Sequence, residues 1–506
     1  MLICSNLLRA LSRKSKTQIL RQNSSTIFAL SSVKMFTGLG KCGVAVIRVS
    51  GPEAGTAISK LTTLKELPQP RTVVLRSIKH PISNELIDKG LILWLPGPRS
   101  FTGEDSSEFH VHGGVAVING LLDALASMPK FKLAEPGEFT RRAFSNGKLD
   151  LTEVEGLADL LQAETEAQRK QALLQADGSL SKLYENWRHV LKHSVANLEA
   201  HIDFEETETL EDGLVDNVVK NIEVLSADIN KHMRDGRKGE ILRRGVKAVI
   251  LGEPNVGKSS LLNVLCQRPA SIVTPISGTT RDVIQVTLNI QGYPLVLSDT
   301  AGLRKDSQDV IELEGMSRAV DIYQKADLVI LVIDFQNYSN WCHRHAADFK
   351  TYILHYIKEL GVSDLINDPK DGQTLFKKEC VVVLNKTDLD SKAVCDKIHK
   401  NIVKLSCKTE AGISDLVTVL AQHLKILCGE PSQEHPSMNQ VRHREQLLKC
   451  QKHLQSFLED ASKNKPDLVI MAEHLRKALT SLGKLIGTVT SEEILDLIFR
   501  EFCIGK

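Results

Sequence analysis

Apolar residues recur at helical spacing in two separate stretches of the chain. One runs from about residue 149 to 240 and opens with Leu151, Val154, Leu157, Leu160 and Leu161; the other begins near residue 431. Between them, residues 246–430 alternate short apolar runs with turns and helical patterns, which is typical of an α/β domain. Thr152 and Glu155 have the spacing of a capping box at the first helix. The pattern predicts a helical domain split by an inserted α/β domain.

The stretch before residue 146 has a different pattern. The segments TIFAL, GVAVIRVSG and LILWLPGP are typical of short strands, and glycine and proline separate them. We therefore expect a compact α+β domain over residues 26–145. The basic segment Arg237–Arg244 precedes the α/β region and is interpreted as a hinge between domains.

The first residues form a basic leader. Residues 1–52 contain no Asp or Glu, and Leu7, Leu8 and Leu11 can share a helical face that excludes Arg9 and Arg13. This composition is typical of a mitochondrial presequence, although a disordered basic tail has the same composition. The predicted organisation is multidomain: leader 1–25, α+β domain 26–145, helical part 146–245, α/β domain 246–430 and helical part 431–506.

Bulk composition narrows the class of protein. The 506 residues are 42% hydrophobic and 25% charged with a net charge of +2, so no global basic field indicates a nucleic-acid partner. Ten cysteines are scattered without a C-x-x-C pair, which favours free thiols in a reducing compartment. No run of about 18 apolar residues occurs, so no membrane span is expected.

A phosphate-binding loop follows the apolar strand at residues 246–251. The segment GEPNVGKS, residues 252–259, matches G-x-x-x-x-G-K-S and leads into an apolar helix pattern. Glycines let backbone N–H groups surround phosphates, and the helix N-terminus adds positive potential. Lys258 is expected to reach the β- and γ-phosphates and Ser259 to ligate Mg²⁺. The predicted contacts of this loop are Asn255, Val256, Gly257, Lys258, Ser259 and Ser260.

Three further elements occur in the order of a GTPase. A strand ends at residue 298 before DTAG, whose carboxylate can hold the Mg²⁺ shell. Another strand ends before NKTD, whose Asp388 can accept two hydrogen bonds from guanine. A third strand leads to SCK. Adenine offers no such donor pair, so the four phased motifs predict a P-loop, Ras-like GTPase. The remaining nucleotide contacts are Asp299, Thr300, Ala301, Gly302, Asn385, Lys386, Asp388, Ser406, Cys407 and Lys408.

The hydrolytic water needs a different partner from that of Ras, because Leu303 occupies the position of the Ras glutamine. The segment at 273–282 resembles the potassium loop of tRNA-modification and ribosome-assembly GTPases. That resemblance implies that K⁺ supplies the charge of an arginine finger. The alternative interpretation is an ordinary switch loop that binds no cation. The implied K⁺ ligands are Asn255, Thr274, Ile276 and Thr279; Thr280 joins Ser259 on Mg²⁺, and Thr280 and Gly302 have catalytic roles.

From about residue 26 to 506 the chain resembles the MnmE/TrmE family. The segments that carry this resemblance include SFTGEDSSEFHVHGG, EPGEFTRRAFSNGKLDLTEVEGLADLL and the terminal FCIGK. It implies a folate-binding N-terminal domain that forms a homodimer and an FAD-dependent partner of the glucose-inhibited-division A type. Together they would modify carbon 5 of the wobble uridine of tRNA, with taurine or glycine as amine. The leader fits the branch that acts on mitochondrial tRNA in the matrix.

The resemblance also implies individual residues. Folate contacts fall on Arg48, Glu108, Lys148 and Lys506, and the one-carbon donor would be 5,10-methylene- or 5-formyl-tetrahydrofolate. Cys503 matches the family's cysteine, and whether it is a reactive thiol or a small buried residue stays open. The water-orienting glutamate matches Glu312, with Glu314 as the alternative.

Two segments depart from the family pattern. Residues 33–41 are longer than its glycine-rich turn, which puts the local folate geometry in doubt. Residues 335–379 form an insertion with Cys342, His343 and His345, interpreted as a surface elaboration in preference to a metal site.

Two rival functions remain at this point. A regulatory, ribosome-assembly-type GTPase would switch without modification chemistry, and folate binding would argue against it. A stand-alone folate-dependent aminomethyl transferase would need no GTP turnover.

Overall fold

The structure is a computed structural model of the chain, and it describes two compact units. The described residues are 25–31, 42–204, 213–235, 237–267, 285–298, 323–345, 348–366, 376–389, 402–433, 436–490, 492–500 and 502–506. One unit contains those up to residue 158 together with 483–506, and the other contains those in 159–482. Within these ranges no helix is both long and apolar enough to cross a membrane.

The elements alternate between strands and helices at first and end in helices. Up to residue 162 they are β1 (Thr26–Leu30), β2 (Cys42–Ser50), α1 (Ala54–Leu61), β3 (Val73–Lys79), β4 (Leu86–Leu95), β5 (Ser106–Gly113), α2 (Val115–Ala126), β6 (Phe131–Leu133), α3 (Glu138–Ser145) and α4 (Leu151–Gln162). Then follow α5 (Glu166–Ala176), α6 (Ser179–Phe204), α7 (Leu214–Asp235), α8 (Arg237–Arg244), β7 (Val246–Leu251), α9 (Lys258–Cys266), β8 (Gln285–Ile290), β9 (Tyr293–Ser298), β10 (Leu328–Asp334), α10 (Phe335–His345), α11 (Phe349–Glu359), β11 (Glu379–Asn385), β12 (Ile402–Lys404), α12 (Ile413–Cys428), α13 (Val441–Ala461), α14 (Leu468–Ile486) and α15 (Glu492–Arg500).

The first unit is built on a six-stranded sheet in the order β3-β4-β5-β2-β1-β6. All neighbours are antiparallel except β1 and β6, which are parallel. Along β2, Ala45, Ile47 and Val49 are buried against α1 and α2, and the alternation of a strand puts Arg48 on the opposite face. Arg48 is in register with Glu108 of β5. The sheet therefore brings together two charged side chains that lie 60 positions apart.

The second unit contains a six-stranded sheet in the order β12-β11-β10-β7-β9-β8. Five strands are parallel, and β8 joins the edge antiparallel to β9. Residues 328–333 of β10 are all fully buried, with one core on each face of the sheet. Parallel strands covered on both faces read as continuous apolar runs, and their carboxyl ends meet at one edge where ligands commonly bind.

Helices of the second unit pack through apolar stripes. In α7, Val218, Ile222, Leu225 and Ile229 repeat every three or four residues and are at most 3% exposed. Each such side chain contributes about 1.5–3 kcal/mol through burial. Helix α13 packs against α7, where Gln451 donates a hydrogen bond to the hydroxyl of Ser226.

Two local predictions were wrong. The capping box of α4 joins Asp150 and Glu153, not Thr152 and Glu155: each carboxylate accepts from the other residue's backbone N–H, at 2.9 and 2.8 Å. Asp150 precedes the helix, whereas Thr152 is already its second residue. The segment Arg237–Arg244, interpreted as a hinge, is the helix α8.

Two ion pairs explain why α8 is fixed. Arg243 pairs with Asp159 at 2.7 Å, and Arg244 pairs with Asp327 at 2.7 Å. Both arginines are therefore paired with carboxylates of the second unit.

Candidate functional site

The phosphate loop leaves the carboxyl end of β7 and enters α9. Gly257 precedes the helix with φ of 100°, and a Cβ at this position would clash with Nδ2 of Asn385, so only glycine fits. The ammonium of Lys258 donates to the carbonyls of Gly252 and Glu253 at 2.8 and 2.6 Å. These bonds hold the lysine across the loop, where a phosphate could replace the carbonyls as its partner.

Asn385 joins the phosphate loop to the side of the site that is predicted to read the base. Its side chain is buried at the end of β11, and its Nδ2 donates to the carbonyl of Val256 at 2.8 Å. Its Oδ1 accepts from the backbone N–H of Cys407 at 3.1 Å. One amide therefore fixes three motifs of the sequence relative to one another.

The guanine-selective carboxylate predicted from the sequence is exposed at the same edge. Asp388 accepts a hydrogen bond of 2.6 Å from the hydroxyl of Ser406, which holds the pKa of the carboxyl below its ordinary value. Ser406 itself is buried and also accepts from the N–H of Thr409 at 3.2 Å. The carboxylate is therefore oriented and ionised at neutral pH, as an acceptor for two guanine N–H groups must be.

Sequence reasoning missed Asp334, which belongs to this edge. Its carboxylate lies 2.8 Å from the ammonium of Lys386, and Lys386 has a positive φ of 66°. Asp334 ends the apolar run LVILVID, and an acidic residue at the carboxyl end of a parallel strand is a signal that could have identified it.

Several predicted site residues lie outside the described part of the chain. These are Thr274, Ile276, Thr279 and Thr280 of the potassium loop, Asp299, Thr300, Ala301 and Gly302 of the DTAG element, and Glu312 with its alternative Glu314. Their roles stay predictions. Ser259, Ser260 and Lys408 are described, at the start of α9 and after β12, on the same edge as the residues above.

A second polar cluster lies in the first unit. The guanidinium of Arg48 pairs with Glu108 at 3.0 Å, and Glu108 is also 3.3 Å from His110. The rings of Phe101 and Phe139 flank the same guanidinium, with centroids 5.5 and 5.9 Å from its central carbon. The side chains of Arg48 and Glu108 are only 20% and 14% exposed, so the pair is largely removed from water.

Lys506 belongs to this cluster. The hydroxyl of Ser31 donates to the carbonyl of Gly505 at 2.7 Å, and Gly505 has a φ of 94° with no room for a side chain against Leu30. Burial, followed by the neighbouring charge of Arg48, lowers the pKa of Lys506. Three of the four residues implied for folate are thus close enough to interact electrostatically.

Lys148 and Cys503 are placed differently. The ammonium of Lys148 donates to the carbonyl of Pro98 at 3.3 Å, a partner outside the Arg48–Glu108 pair. Cys503 is exposed, which argues against the small buried residue, one of the two alternatives left open by the sequence.

The insertion is more than a surface elaboration. His343 and His345 are exposed, but α11 buries Tyr352, Ile353, Tyr356 and Ile357 in the core beneath the sheet. The described residues contain no group of three His, Cys, Asp or Glu that could hold a metal ion.

Comparisons with known proteins agree with this arrangement. The family model described as "MnmE helical domain" matches residues 151–503, and the model described as "GTP-binding protein TrmE N-terminus" matches residues 26–148. Together these matches cover nearly all of the described chain.

Relatives match over nearly their full length. A protein of Danio rerio named 5-taurinomethyluridine-[tRNA] synthase subunit GTPB3, mitochondrial, is 49% identical over 95% of this chain and 93% of its own. The Homo sapiens protein of that name is 43% identical over 96% of this chain and 94% of its own length. The tRNA modification GTPase MnmE of Parvibaculum lavamentivorans is 44% identical over 95% and 100%. The chain therefore belongs to the MnmE/TrmE family of tRNA modification GTPases.

Proposed function

We propose that this chain is the GTP-hydrolysing component of a complex that modifies carbon 5 of the wobble uridine of mitochondrial tRNA. The observation that carries the GTPase part is the Asn385 side chain, which joins the phosphate loop to the loop beside Asp388. The modification part is supported by relatives named as 5-taurinomethyluridine-tRNA synthase subunits, which match along nearly the whole chain. Their names also support a mitochondrial location, and we propose the matrix.

The proposal includes two metal ions as cofactors with GTP. Ser259, at the start of α9, would ligate Mg²⁺ together with Thr280. Asn255 has a positive φ of 65° in the phosphate loop and would bind K⁺ together with the backbone of the loop at 273–282. A monovalent cation there would stabilise charge that develops during phosphoryl transfer, and Glu312 would orient the water.

GTP turnover is expected to be at least about tenfold faster in K⁺ than in Na⁺ at equal ionic strength. Na⁺ is too small to bind all the oxygen ligands of a cage that fits K⁺. Phosphate release by the full chain in the two chloride salts measures this. An Asn255→Ser variant should lose most of the difference, and equal rates in the wild-type chain would refute the potassium site.

The Arg48–Glu108–Lys506 cluster is the proposed folate site. Arg48 and Lys506 would bind the glutamate tail, and Glu108 would accept hydrogen bonds from pterin N–H groups. The ligand would be 5,10-methylene- or 5-formyl-tetrahydrofolate, the source of the one-carbon unit. Lys148 would have to leave the Pro98 carbonyl to take part.

We further propose that the chain acts as a homodimer with an FAD-dependent partner of the glucose-inhibited-division A type. Val73, Leu75 and Leu91 lie on the face of the first sheet opposite α1 and α2, with exposures of 43–60%. Exposed apolar side chains that cluster on one face of β3 and β4 favour a second copy as occupant. Sedimentation equilibrium of the full chain tests this, and a monomer at micromolar concentration would contradict it.

The proposed domain order is a folate-binding domain and a helical domain into which the GTPase domain is inserted. The helical-family match that spans 151–503 supports it, because the P-loop sheet lies within that range.

The decisive experiment is mass spectrometry of nucleosides from mitochondrial tRNA of cells that lack this chain. Loss of the 5-substituted wobble uridine is expected, and its mass in normal cells identifies taurine or glycine as the amine. The wild-type chain and the Lys350→Ala control, an exposed change on α11, should restore it. Lys258→Ala should fail. Unchanged nucleosides would instead favour a regulatory, ribosome-assembly-type GTPase.

A further inference from the structure

A tyrosine of the insertion contacts the phosphate loop. Tyr356 lies on α11, and its side chain is 2% exposed. Its hydroxyl donates to the carbonyl of Val332 at 2.9 Å and accepts from the backbone N–H of Glu253 at 2.9 Å. Glu253 is the second residue of the loop that begins at Gly252. The hydroxyl therefore uses one donor and one acceptor to join β10 to the loop.

This bridge lies where the sheet ladder ends. Strands β7 and β10 are paired in register from Ala248 with Leu328 to Leu251 with Leu331. At the next position β7 turns away into the phosphate loop, so a backbone N–H and a backbone carbonyl are left where strand pairing stops. Buried backbone groups need partners, and the Tyr356 hydroxyl supplies both.

We propose that Tyr356 is a positioning residue for nucleotide binding: its hydroxyl fixes the entry to the phosphate loop and so the backbone N–H groups that surround the β-phosphate. The inference rests on the proposed GTPase function and extends it to a residue outside the sequence motifs. It also assigns a function to the insertion, whose helix α11 carries the hydroxyl.

The loop surrounds the phosphates that GDP and GTP share. Loss of its support should therefore weaken the binding of both nucleotides equally. Tyr356→Phe keeps the ring in the core and removes only the hydroxyl. We expect the affinities for GDP and for a non-hydrolysable GTP analogue to fall by the same factor, about five- to twentyfold. KM should rise while kcat stays within about twofold, as is typical when ground-state and transition-state binding weaken equally.

Tyr352→Phe is the matched control. Tyr352 lies one turn earlier on α11, is 5% exposed, and stacks on Tyr356 with ring centroids 5.7 Å apart. Its hydroxyl makes no hydrogen bond to the described residues of the phosphate loop. Both variants delete one hydroxyl from a largely buried ring of the same helix, so a general loss of packing would affect them alike.

The test uses fluorescent nucleotide titration, steady-state kinetics and thermal melts of the full chain. Weaker binding in Tyr356→Phe alone supports the inference. Unchanged affinity in Tyr356→Phe, or equal losses in both variants, would overturn it. A wild-type chain that binds no GTP would refute the proposed function instead.

If Tyr356→Phe does not fold, amide hydrogen exchange of the nucleotide-free wild-type chain tests the inference instead. The Glu253 N–H should exchange slowly because it donates to the hydroxyl of a buried tyrosine. Rapid exchange at Glu253 would overturn the inference.

Discussion

Replacement of Asp388 by asparagine is expected to lower the affinity for GTP by about 10²- to 10³-fold and to favour xanthosine triphosphate. The carboxylate would accept from two guanine N–H groups, whereas an amide offers only one acceptor with a donor beside it. Xanthine has a carbonyl where guanine has its amino group, so asparagine can donate to it. Competition between GTP and xanthosine triphosphate in a turnover assay measures the change in nucleotide preference.

The structure offers a matched control for this change. Asp364→Asn alters an exposed aspartate of the same domain and should leave both affinities unchanged. The hydroxyl of Ser406 can still donate to the amide oxygen at position 388, so the loop should keep its shape. Unaltered GTP selectivity in Asp388→Asn would mean that the base is read elsewhere.

Arg48→Ala is expected to reduce tetrahydrofolate affinity by about 10²-fold and to abolish tRNA modification, while GTP turnover continues. The change removes a cation held between two phenylalanine rings and leaves Glu108 without its guanidinium partner. Arg48 and the nucleotide-binding loops lie in different compact units. Calorimetry with 5-formyl-tetrahydrofolate and phosphate release on one preparation separate the two activities.

Arg76→Ala is the control, because Arg76 is exposed on β3 of the same sheet. Tetrahydrofolate affinity should also fall as the pH rises. The fall should begin at a lower pH than it would with an ordinary lysine, because the pKa of Lys506 is lowered and its ammonium deprotonates earlier. Lys506→Arg should keep its charge and remove that dependence. Retained folate affinity in Arg48→Ala would show a purely structural ion pair.

The nucleotide edge was largely predictable because each of its motifs follows an apolar strand. Parallel strands end at one edge, so four phased motifs imply that Lys258, Asn385 and Asp388 lie close together. The hydrogen bond from Asn385 to the Val256 carbonyl was not predictable, because an asparagine in this motif is equally consistent with a contact to the base.

Contacts that depend on tertiary register could not be derived from residue spacing. Arg48 and Glu108 meet only because β2 and β5 pair in one register, and residue spacing carries no trace of it. Tyr356 lies about 100 positions from Glu253 within a segment that departs from the family pattern. The basic residues of α8 were interpreted as a hinge because their acidic partners lie far away in sequence.

The first unit is discontinuous along the chain, which has a consequence during synthesis. Phe499 and Phe502 complete the core around Leu151 and Val154, yet the ribosome makes residues 159–482 in between. At about 5–20 residues per second that takes roughly 15–65 seconds. During this interval the apolar side of α4 lacks the cover that Phe499 and Phe502 provide. Until α15 is made, the nascent chain would therefore leave this core incomplete, and a product truncated before residue 492 would lack Phe499 and Phe502 throughout.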